Sequence, residues 1–564
     1  MRILKSSLLL SLIVVLGSCS EPSSSSSKTG AIGDSAMVVS AHPLATKAGL
    51  YILKNGGNAY DAAIATQFAL AVVYPRAGNI GGGGFAVIRE SDGAIATLDF
   101  REKAPLSAYK TMFQNDSGRV ISELSTLGHL GAGVPGSVAG MWQIHQKYGS
   151  MPWAELVQPA IDIAFEGHRI TADEADALNE KQKDFKEAND WTPWVINDDG
   201  WHEGAYVRQM QLAATLSFVR DSGRDGFYKG IVAKQITDEM QRGGGIISLE
   251  DLEKYEAIWR EPLVGNYKGH KVISMPPTSS GGVALLQLLQ GAEQVKLGDH
   301  AHNSANAVHL MAEIEKRVFA DRAKHLGDPD FYQVPVAEIL SNQYNNNRFD
   351  GININDITPS SQIKGGEVPY ESDQTTHFSI VDSYGNAVSI TTTLNLNYGC
   401  KVWVKGAGFV LNNEMDDFSA KPGVPNFFGL VGAEANAIAP GKRMLSSMTP
   451  TILEKDGKLK AVLGSPGGAT IITSVFQTVI NLVDYDMTMQ EAVEAKKIHH
   501  QWLPDQIKIE SGAISPETKT DLEQQGYKFQ EVEKIGRNDC ILVLPDGKLE
   551  GGADPRGDDY AEGY

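Results

Sequence analysis

Residues 375–393 read Thr375-Thr376-His377-Phe378-Ser379-Ile380-Val381, then Asp382-Ser383-Tyr384-Gly385-Asn386, then Ala387-Val388-Ser389-Ile390-Thr391-Thr392-Thr393. Two runs rich in β-branched and aromatic residues flank a cluster of turn formers, which predicts a β-hairpin. If the turn centres on Tyr384, Thr375 faces Thr393 across the hairpin, with Cβ atoms about 5 Å apart. Thr393 is then placed to hydrogen-bond Thr375 and orient it.

A threonine inside a chain is a weak nucleophile, but at a chain start its own α-amine can act as the general base. We therefore predict that the chain cuts itself between Gln374 and Thr375 and that Thr375 becomes the catalytic residue. Residues 342–374, which are polar and rich in Gly, Asn and Ser, are expected to form an exposed linker that gives access to the cut. The alternative from the hairpin alone is an ordinary pair of threonine-rich strands.

Composition limits the classes of protein. The 564 residues, 42% hydrophobic and 21% charged, indicate one large multilayer domain or two domains. The formal net charge of −19 argues against a nucleic-acid partner, because phosphate binding needs a basic surface.

The first residues are typical of an export signal. Arg2 and Lys5 precede an apolar run from Leu8 to Leu16, and residues 1–18 are predicted to be a signal peptide. The following Cys19 resembles the lipid-modified cysteine of bacterial lipoproteins, with residues 19–37 as a Ser-rich tether. We expect a lipid-anchored protein of the periplasm or cell envelope, sorted to the outer membrane. The alternative is a plain secretory signal followed by a chance cysteine.

Two glycines and one arginine are candidates for binding negative charge. Gly467 and Gly468 lie between a predicted strand and a predicted helix, where free N–H groups and the helix dipole favour an oxyanion. Arg101 ends a predicted strand and suits bidentate carboxylate binding. Taken separately, such glycine pairs are common before helices, and most such arginines form surface salt bridges.

Two polar clusters are further candidates. Ser446 and Ser447 precede a predicted strand, where their hydroxyls bind a carboxylate or only complete a turn. Glu414, Asp416 and Asp417 form a carboxylate cluster that binds an ammonium group or is merely solvated. No CxxC motif or His/Cys cluster has metal-ligand spacing, and His499-His500 is interpreted as structural. Whether Cys400 and Cys540 pair cannot be decided from the sequence.

A set of motifs resembles the γ-glutamyltranspeptidase family, also called glutathione hydrolases, of the N-terminal-nucleophile (Ntn) hydrolase superfamily. The matching motifs follow one another in order from about residue 38 to the end: Asp99-Phe100-Arg101-Glu102, Val134-Pro135-Gly136-Ser137, Pro276-Pro277-Thr278-Ser279-Ser280-Gly281-Gly282, Thr375-Thr376-His377, Thr391-Thr392-Thr393-Leu394-Asn395, Asn413-Glu414-Met415-Asp416-Asp417-Phe418, Leu445-Ser446-Ser447-Met448 and Gly464-Ser465-Pro466-Gly467-Gly468. The resemblance implies an α+β fold, a four-layer α/β/β/α sandwich. It also implies that one precursor cleaves itself into a large subunit (38–374) and a small subunit (375–564). The two subunits share the sandwich and pair as a heterodimer.

The resemblance implies that no metal or organic cofactor is needed, and it also implies roles for single residues. Thr375 forms a γ-glutamyl acyl-enzyme from glutathione or a related compound, and water or an acceptor amino acid or dipeptide then takes the glutamyl group. The implied supporting groups are Thr393 for the nucleophile, Gly467 and Gly468 for the oxyanion, Arg101, Ser446 and Ser447 for the substrate α-carboxylate, and Asn395, Glu414 and Asp417 for its α-ammonium.

This sequence departs from the family pattern at two positions. Glu414 stands where some relatives carry Gln, and Phe428 stands in the Pro425-Asn426-Phe427-Phe428 segment where many bacterial relatives carry a lid tyrosine. Two alternatives to a glutathione hydrolase remain open: a relative acting on another acyl amide, such as a cephalosporin acylase or a poly-γ-glutamate processing enzyme, and a lipoprotein that binds solutes without chemistry.

Overall fold

The computed structural model describes residues 27–364, 375–421 and 434–564. The predicted signal peptide, Cys19, Gln374 and the Phe428 segment lie outside these ranges. The strands, in chain order, are β1 (Ala31–Gly33), β2 (Met37–Ser40), β3 (Gly83–Arg89), β4 (Ile95–Asp99), β5 (His168–Arg169), β6 (Tyr206–Val207), β7 (Ile258–Arg260), β8 (Leu263–Tyr267), β9 (His270–Ser274), β10 (Thr376–Val381), β11 (Ala387–Thr393), β12 (Thr451–Lys455), β13 (Lys458–Leu463), β14 (Ile498–His499), β15 (Ile507–Glu510), β16 (Phe529–Val532), β17 (Cys540–Val543), β18 (Leu549–Gly552) and β19 (Tyr560–Gly563).

Most of these strands form two seven-stranded antiparallel sheets. The nucleophile sheet has the order β19-β2-β10-β11-β3-β4-β7, and the companion sheet has the order β1-β18-β17-β13-β12-β9-β8. Each sheet mixes strands from before and after Thr375, so the two halves of the chain share one fold. A three-stranded sheet (β14-β15-β16) and the short pair β5-β6 complete the strands of the described residues.

The helices of the described residues lie mainly outside the two sheets. They are α1 (Pro43–Lys54), α2 (Ala59–Val73), α3 (Glu123–Thr126), α4 (Ser137–Tyr148), α5 (Trp153–Glu166), α6 (Ala172–Glu180), α7 (Gln182–Ala188), α8 (Met210–Ser222), α9 (Asp225–Tyr228), α10 (Gly230–Gly243), α11 (Leu249–Lys254), α12 (Gly281–Gln294), α13 (Ala305–His325), α14 (Val336–Ile339), α15 (Asn342–Phe349), α16 (Thr470–Val483), α17 (Met489–Glu494) and α18 (Pro516–Gln525), with short 3₁₀ turns at His129–Gly131, Leu297–Asp299, Ser360–Gln362, Glu414–Asp417 and Glu434–Asn436. None of the helices in the described ranges has the length and apolar character that a membrane crossing requires.

Alternation along the strands explains the layers. In β11, Val388 and Ile390 pack with α1, α2 and α5 on one face of the nucleophile sheet. Ala387 points to the other face, into the core that also contains residues of the companion sheet, α12, α13 and α16. Between the sheets, the Ser389 hydroxyl donates to the Leu463 carbonyl over 2.8 Å. The order is therefore helices, sheet, sheet, helices, which confirms the predicted four-layer α+β fold.

The hairpin has the predicted register. Thr376 pairs with Thr392 and Val381 with Ala387, so Thr375 faces Thr393. On the other side of β11, Gly83 pairs with Thr393. A Cβ added at the preceding Gly82 would lie 2.0 Å from the Thr393 carbonyl oxygen, so the glycine run allows a backbone approach that side chains would prevent.

The prediction of an exposed linker over residues 342–374 is correct in part: most of residues 342–364 are exposed or half-buried, but the stretch begins with a helix. Residues 342–349 form α15, and Phe349 and Ser360 are buried. The Ser360 N–H and hydroxyl both donate to the Asp505 carboxylate, at 2.9 and 2.7 Å. Contacts with distant segments thus order a polar stretch whose few apolar residues do not recur with the period of a helix. Residues 365–374 lie outside the described ranges.

Candidate active site

Thr375 and Thr393 are brought together at one end of the hairpin. The Thr375 hydroxyl donates to Thr393 Oγ1 over 3.3 Å, and both residues are more than nine-tenths buried. Thr393 Oγ1 also accepts the Asn395 N–H at 2.9 Å. The nucleophile predicted from the sequence therefore has a fixed hydroxyl neighbour, whose position is set by the strand pairing.

Asn79 holds the end of β11 in place. Its side-chain amide donates to Thr392 Oγ1 at 3.0 Å and to the Thr393 carbonyl at 2.9 Å. Its Oδ1 accepts the Gly82 N–H and the Ser137 hydroxyl, at 3.0 and 2.6 Å. A buried amide with all these partners satisfied rigidifies the strand end that carries Thr393.

Gly467 and Gly468 form the turn between β13 and α16. Both have positive φ angles, +130° and +56°, which favour glycine. Their carbonyls accept the N–H groups of Thr470 and Ile471 at the start of α16. Neither glycine N–H donates a hydrogen bond to any residue in the described part of the chain. Two free N–H groups at a helix N-terminus are what an oxyanion site requires.

One pocket contains nearly all of the predicted site. It is lined by Arg101, Thr375, Thr393, Asn395, Glu414, Asp417, Ser446, Ser447, Met448, Gly468 and Ile471. We call it the head-group pocket. Of the ten predicted catalytic and substrate-binding residues, it lacks only Gly467, which lines a second cavity on the other side of Thr375. The structure thus assembles residues that are up to 367 positions apart, from Arg101 to Gly468.

Arg101 lies at the centre of a buried charge cluster. Its Nη1 is 2.7 Å from Glu414 Oε2 and 3.6 Å from Glu102 Oε2, and its Nη2 forms an ion pair with Asp417. The predicted carboxylate-binding and ammonium-binding residues therefore contact each other directly. Three carboxyl groups surround one guanidinium, so the cluster would carry a net negative charge if all three were ionised.

Burial controls the protonation of these carboxyl groups. Loss of hydration raises the pKa of Glu414 well above its ordinary value and raises that of Asp417, while Arg101 opposes both shifts. Burial raises the pKa of Glu102 to about 8. At neutral pH the cluster therefore retains protons, and an ammonium group entering the pocket would favour their release.

Ser447 is held by a residue outside the pocket. Arg322 on α13 donates to the hydroxyls of Ser447 at 2.8 Å and Ser280 at 2.7 Å. Ser446 accepts the Met448 N–H on its own hydroxyl at 3.2 Å. Both serines line the head-group pocket, and the Ser446 hydroxyl also completes a turn, so for Ser446 the two interpretations drawn from the sequence are compatible.

Sequence reasoning did not identify Glu102, Asn79 or Arg322 as part of the site. Glu102 is adjacent to Arg101 and completely buried. The sequence shows only a charged residue after a strand, and that pattern does not indicate burial. Arg322 occurs in an amphipathic helix, where a surface position is the ordinary expectation. Only Asn79 had a sequence signal, since it directly precedes the glycine run.

The remaining candidates are structural in their contacts. His499 bonds to the Thr473 hydroxyl at 2.9 Å and to Gln501 at 3.0 Å, while His500 lies 3.3 Å from Asp505. Cys400 and Cys540 are both buried and unpaired. Within the described ranges, no group of three or more His, Cys, Asp or Glu side chains is arranged to hold a metal ion.

Comparisons with known proteins agree with this geometry. The model of the family described as Gamma-glutamyltranspeptidase matches residues 45–564. The chain is 47% identical over 538 residues to the glutathione hydrolase proenzyme of Escherichia coli (strain K12), covering 94% of this chain and 92% of that protein. Cephalosporin acylase from Bacillus halodurans superposes with a TM-score of 0.82 at 27% identity, over 98% of this chain and 99% of that chain. Helicobacter pylori gamma-glutamyltranspeptidase gives a TM-score of 0.56 at 43% identity, over 60% of this chain and 96% of that one.

Proposed function

The chain belongs to the γ-glutamyltranspeptidase family, and from that premise we propose that Thr375 is the nucleophile with which it cleaves γ-glutamyl amides such as glutathione. The protein is a γ-glutamyl hydrolase and transferase made as a proenzyme. The observation that carries the residue assignments is the head-group pocket, where a guanidinium and a carboxylate cluster lie beside the hydroxyl of Thr375.

The pocket is suited to a zwitterionic head group. Arg101 and the hydroxyls of Ser446 and Ser447 bind the α-carboxylate, while Asp417, Glu414 and Asn395 bind the α-ammonium. Arg101 is paired with Glu414 and Asp417, so a bound substrate exchanges these ion pairs for pairs with its own carboxylate and ammonium. Two methylenes separate the α-carbon of the glutamyl group from its γ-carbonyl. Binding of the α-carboxylate and the α-ammonium therefore places the γ-carbonyl at Thr375.

The chemistry follows from an N-terminal threonine. The α-amine of Thr375 takes the hydroxyl proton as Oγ1 attacks the γ-carbonyl, and the N–H groups of Gly467 and Gly468 bind the oxyanion. Collapse of the tetrahedral intermediate breaks the amide C–N bond, and the protonated α-amine gives its proton to the leaving amine. Water or an acceptor amine then attacks the ester and restores the Thr375 hydroxyl.

Activation uses the same hydroxyl. Thr375 Oγ1 attacks the carbonyl of Gln374, the peptide C–N bond breaks, and the resulting ester is hydrolysed. The products are a carboxylate on Gln374 and a free α-amine on Thr375. We propose a large subunit of residues 38–374 and a small subunit of residues 375–564, which pair as a heterodimer.

Two measurements test this proposal. On a denaturing gel the purified protein should give two bands and Thr375→Ala one band; a wild-type chain that stays whole would sink the self-cleavage. The processed enzyme should release nitroaniline from a γ-glutamyl nitroanilide, faster when glycylglycine is added. No release would remove the glutamyl assignment, and no acceleration would remove the transferase half.

A second candidate reaction is cleavage of another side-chain acyl amide, because a cephalosporin acylase shares this fold. The carboxylate cluster disfavours an acyl group without an ammonium. Glutaryl nitroanilide differs from the γ-glutamyl compound only in lacking that ammonium. Equal kcat/KM for the two substrates would favour the acylase, whereas a strong preference for the γ-glutamyl compound supports the glutathione hydrolase.

We also propose that Cys19 carries lipid and anchors the enzyme in the cell envelope, as an outer-membrane lipoprotein. The support is the sequence at residues 1–28. Cys19→Ala should move the protein from the membrane pellet to the soluble periplasmic fraction, and loss of radiolabelled palmitate should accompany the change. A variant that stays in the pellet would contradict the anchor.

A further inference from the structure

The turn that carries Ser446 and Ser447 is held by the motif at residues 276–282. This motif contributes none of the residues that line the head-group pocket. The Ser280 N–H and hydroxyl both donate to the Ser446 carbonyl, at 2.7 and 2.6 Å, and Ser279 forms a parallel β-bridge with Ser446. All four serines are buried. The backbone of the turn is therefore fixed by the protein itself.

Arg322 joins this motif to Ser447. It lies on α13, is 2% exposed, and donates from Nε to the Ser280 hydroxyl at 2.7 Å and from Nη2 to the Ser447 hydroxyl at 2.8 Å. Ser280 thus accepts from Arg322 and donates to Ser446 with the same hydroxyl. Burial raises the pKa of Asp417, and the charge of Arg322 is among the influences that oppose this shift. The field of Arg322 therefore reaches the head-group pocket.

The two serines of the pocket accept hydrogen bonds from the protein and keep their own protons. A serine hydroxyl has one proton to donate and two lone pairs that accept. Ser447 accepts from Arg322, and Ser446 accepts the Met448 N–H at 3.2 Å. Neither hydroxyl donates to a protein group within residues 27–364, 375–421 and 434–564. Both O–H groups are therefore free to donate to a ligand in the pocket.

Resting on the proposed function, we propose that Arg322 is a positioning residue that makes Ser446 and Ser447 selective for the α-carboxylate of the glutamyl group. Arg322 occupies a lone pair of Ser447 and, through Ser280, fixes the backbone of Ser446, so both hydroxyls present protons to the ligand. A hydrogen bond from a cation also polarises the Ser447 hydroxyl and strengthens its donation.

This arrangement distinguishes a carboxylate from an amide of the same shape. A carboxylate has only lone pairs to offer, and it can accept from both serine hydroxyls and from Arg101. An α-carboxamide brings an NH₂ group in place of one oxygen. Its N–H groups would meet a donor of the pocket, and at least one of these hydrogen bonds would be lost.

The test compares the γ-nitroanilide of glutamate with that of isoglutamine, in which the α-carboxylate is an amide. Release of nitroaniline by the processed enzyme gives kcat/KM for each compound, and wild type should prefer the carboxylate. Arg322→Gln should lower the ratio of the two kcat/KM values about tenfold, mainly through a higher KM for the carboxylate, since a hydrogen bond to a charged group is affected.

Arg317→Gln is the matched control. Arg317 lies on the same helix and is also buried, but it donates to Glu313 and to the Thr358 hydroxyl, and it does not line the head-group pocket. This variant should keep the wild-type ratio even if its stability falls. If Arg322→Gln yields no processed enzyme, Ser280→Ala tests the same link with a smaller change and should lower the ratio about threefold.

A double-mutant cycle with Ser447→Ala separates positioning from a general structural effect. If Arg322 acts through Ser447, Arg322→Gln should change the ratio less in the Ser447→Ala enzyme than in wild type. Equal changes in the two backgrounds would contradict the inference. So would a wild-type ratio in Arg322→Gln or in Ser280→Ala, or an equal fall in Arg317→Gln.

These results leave the proposed function standing, because wild type still cleaves the γ-glutamyl amide. If wild type releases nitroaniline from neither compound, the proposed function and this inference fail together.

Discussion

The hydroxyl oxygens of Thr375 and Thr393 lie 3.3 Å apart, one position beyond the Thr376–Thr392 pair that begins the β10–β11 ladder. From this contact we predict that Thr393 orients the proposed nucleophile. Thr393→Val keeps the shape of the side chain and removes the hydroxyl. We expect kcat of the processed enzyme to fall about 10- to 100-fold, as loss of a buried hydrogen bond costs about 1–3 kcal/mol.

Thr393→Ser is the matched variant for this prediction, because it keeps the hydroxyl and loses only a methyl group. It should retain most of the activity. The role of Thr393 as the orienting residue would be contradicted if the valine and serine variants had the same kcat.

The glycine turn before α16 should tolerate no side chain. A Cβ at Gly467 would lie 2.5 Å from Thr470 Oγ1, at a φ of +130°. Gly467→Ala should therefore displace the free N–H groups and lower kcat about 100-fold, which is typical of a lost oxyanion donor. Gly512→Ala is the control: it also has a positive φ, +81°, but its Cβ enters open space. Equal activity of the two alanine variants would remove the oxyanion assignment.

The ammonium assignment rests on Asp417. Asp417→Asn keeps the size of the side chain and removes its charge, so we expect the KM for a γ-glutamyl donor to rise at least tenfold while protein processing continues. The neighbouring Asp416 is also buried but bonds to the Ser125 hydroxyl and does not line the pocket. Asp416→Asn should leave the KM within about twofold of wild type. A similar KM for both variants would argue against a direct contact of Asp417 with the substrate.

The pH dependence of stability should include a contribution from His377. This residue is completely buried between the hydroxyls of Thr391 and Ser379, and burial lowers its pKa to about 3. The unfolded chain, with a pKa near 6.5, binds the extra proton between pH 3 and 6.5, so stability from this residue is lost as the pH falls through that window. The expected slope is about 1.4 kcal/mol per pH unit.

Urea denaturation of the Thr375→Ala chain, with and without His377→Asn, measures this slope without complication from subunit dissociation. The asparagine variant should lose less stability between pH 6.5 and pH 4.5 than its parent, whatever its stability at neutral pH. Parallel pH profiles for the two proteins would rule out His377 as the source.

Local patterns explain which elements were predictable. The hairpin at residues 376–393, the β3–β4 pair and the helices α1, α2, α13 and α16 follow from periodicity and turn chemistry, which act between neighbours in the chain. The capping box of Thr488 and Glu491, which begins α17, is likewise a pattern of neighbouring residues. The linker prediction missed α15 and the burial of Phe349 and Ser360, because contacts with distant segments stabilise both and a polar composition does not indicate such contacts.

The site residues show the same division. Motifs identified Arg101, Glu414 and Asp417 one by one, but the ion pairs that join them appear only in the folded chain. Glu102 and Arg322 had no distinguishing sequence pattern, and burial gave them their roles beside Arg101 and Ser447.

The sequence by itself predicted Thr375 as the nucleophile. It also determined the register that places Thr375 opposite Thr393, the layered fold and the family, because strand alternation, turn residues and ordered motifs are properties of the chain. Only the tertiary structure decided that Arg101 forms ion pairs with Glu414 and Asp417 in the head-group pocket, and that Thr375 lies between this pocket and a second cavity, which Gly467 lines. The physical reason is that desolvation and ion pairing depend on distances between segments hundreds of residues apart, which no local pattern encodes.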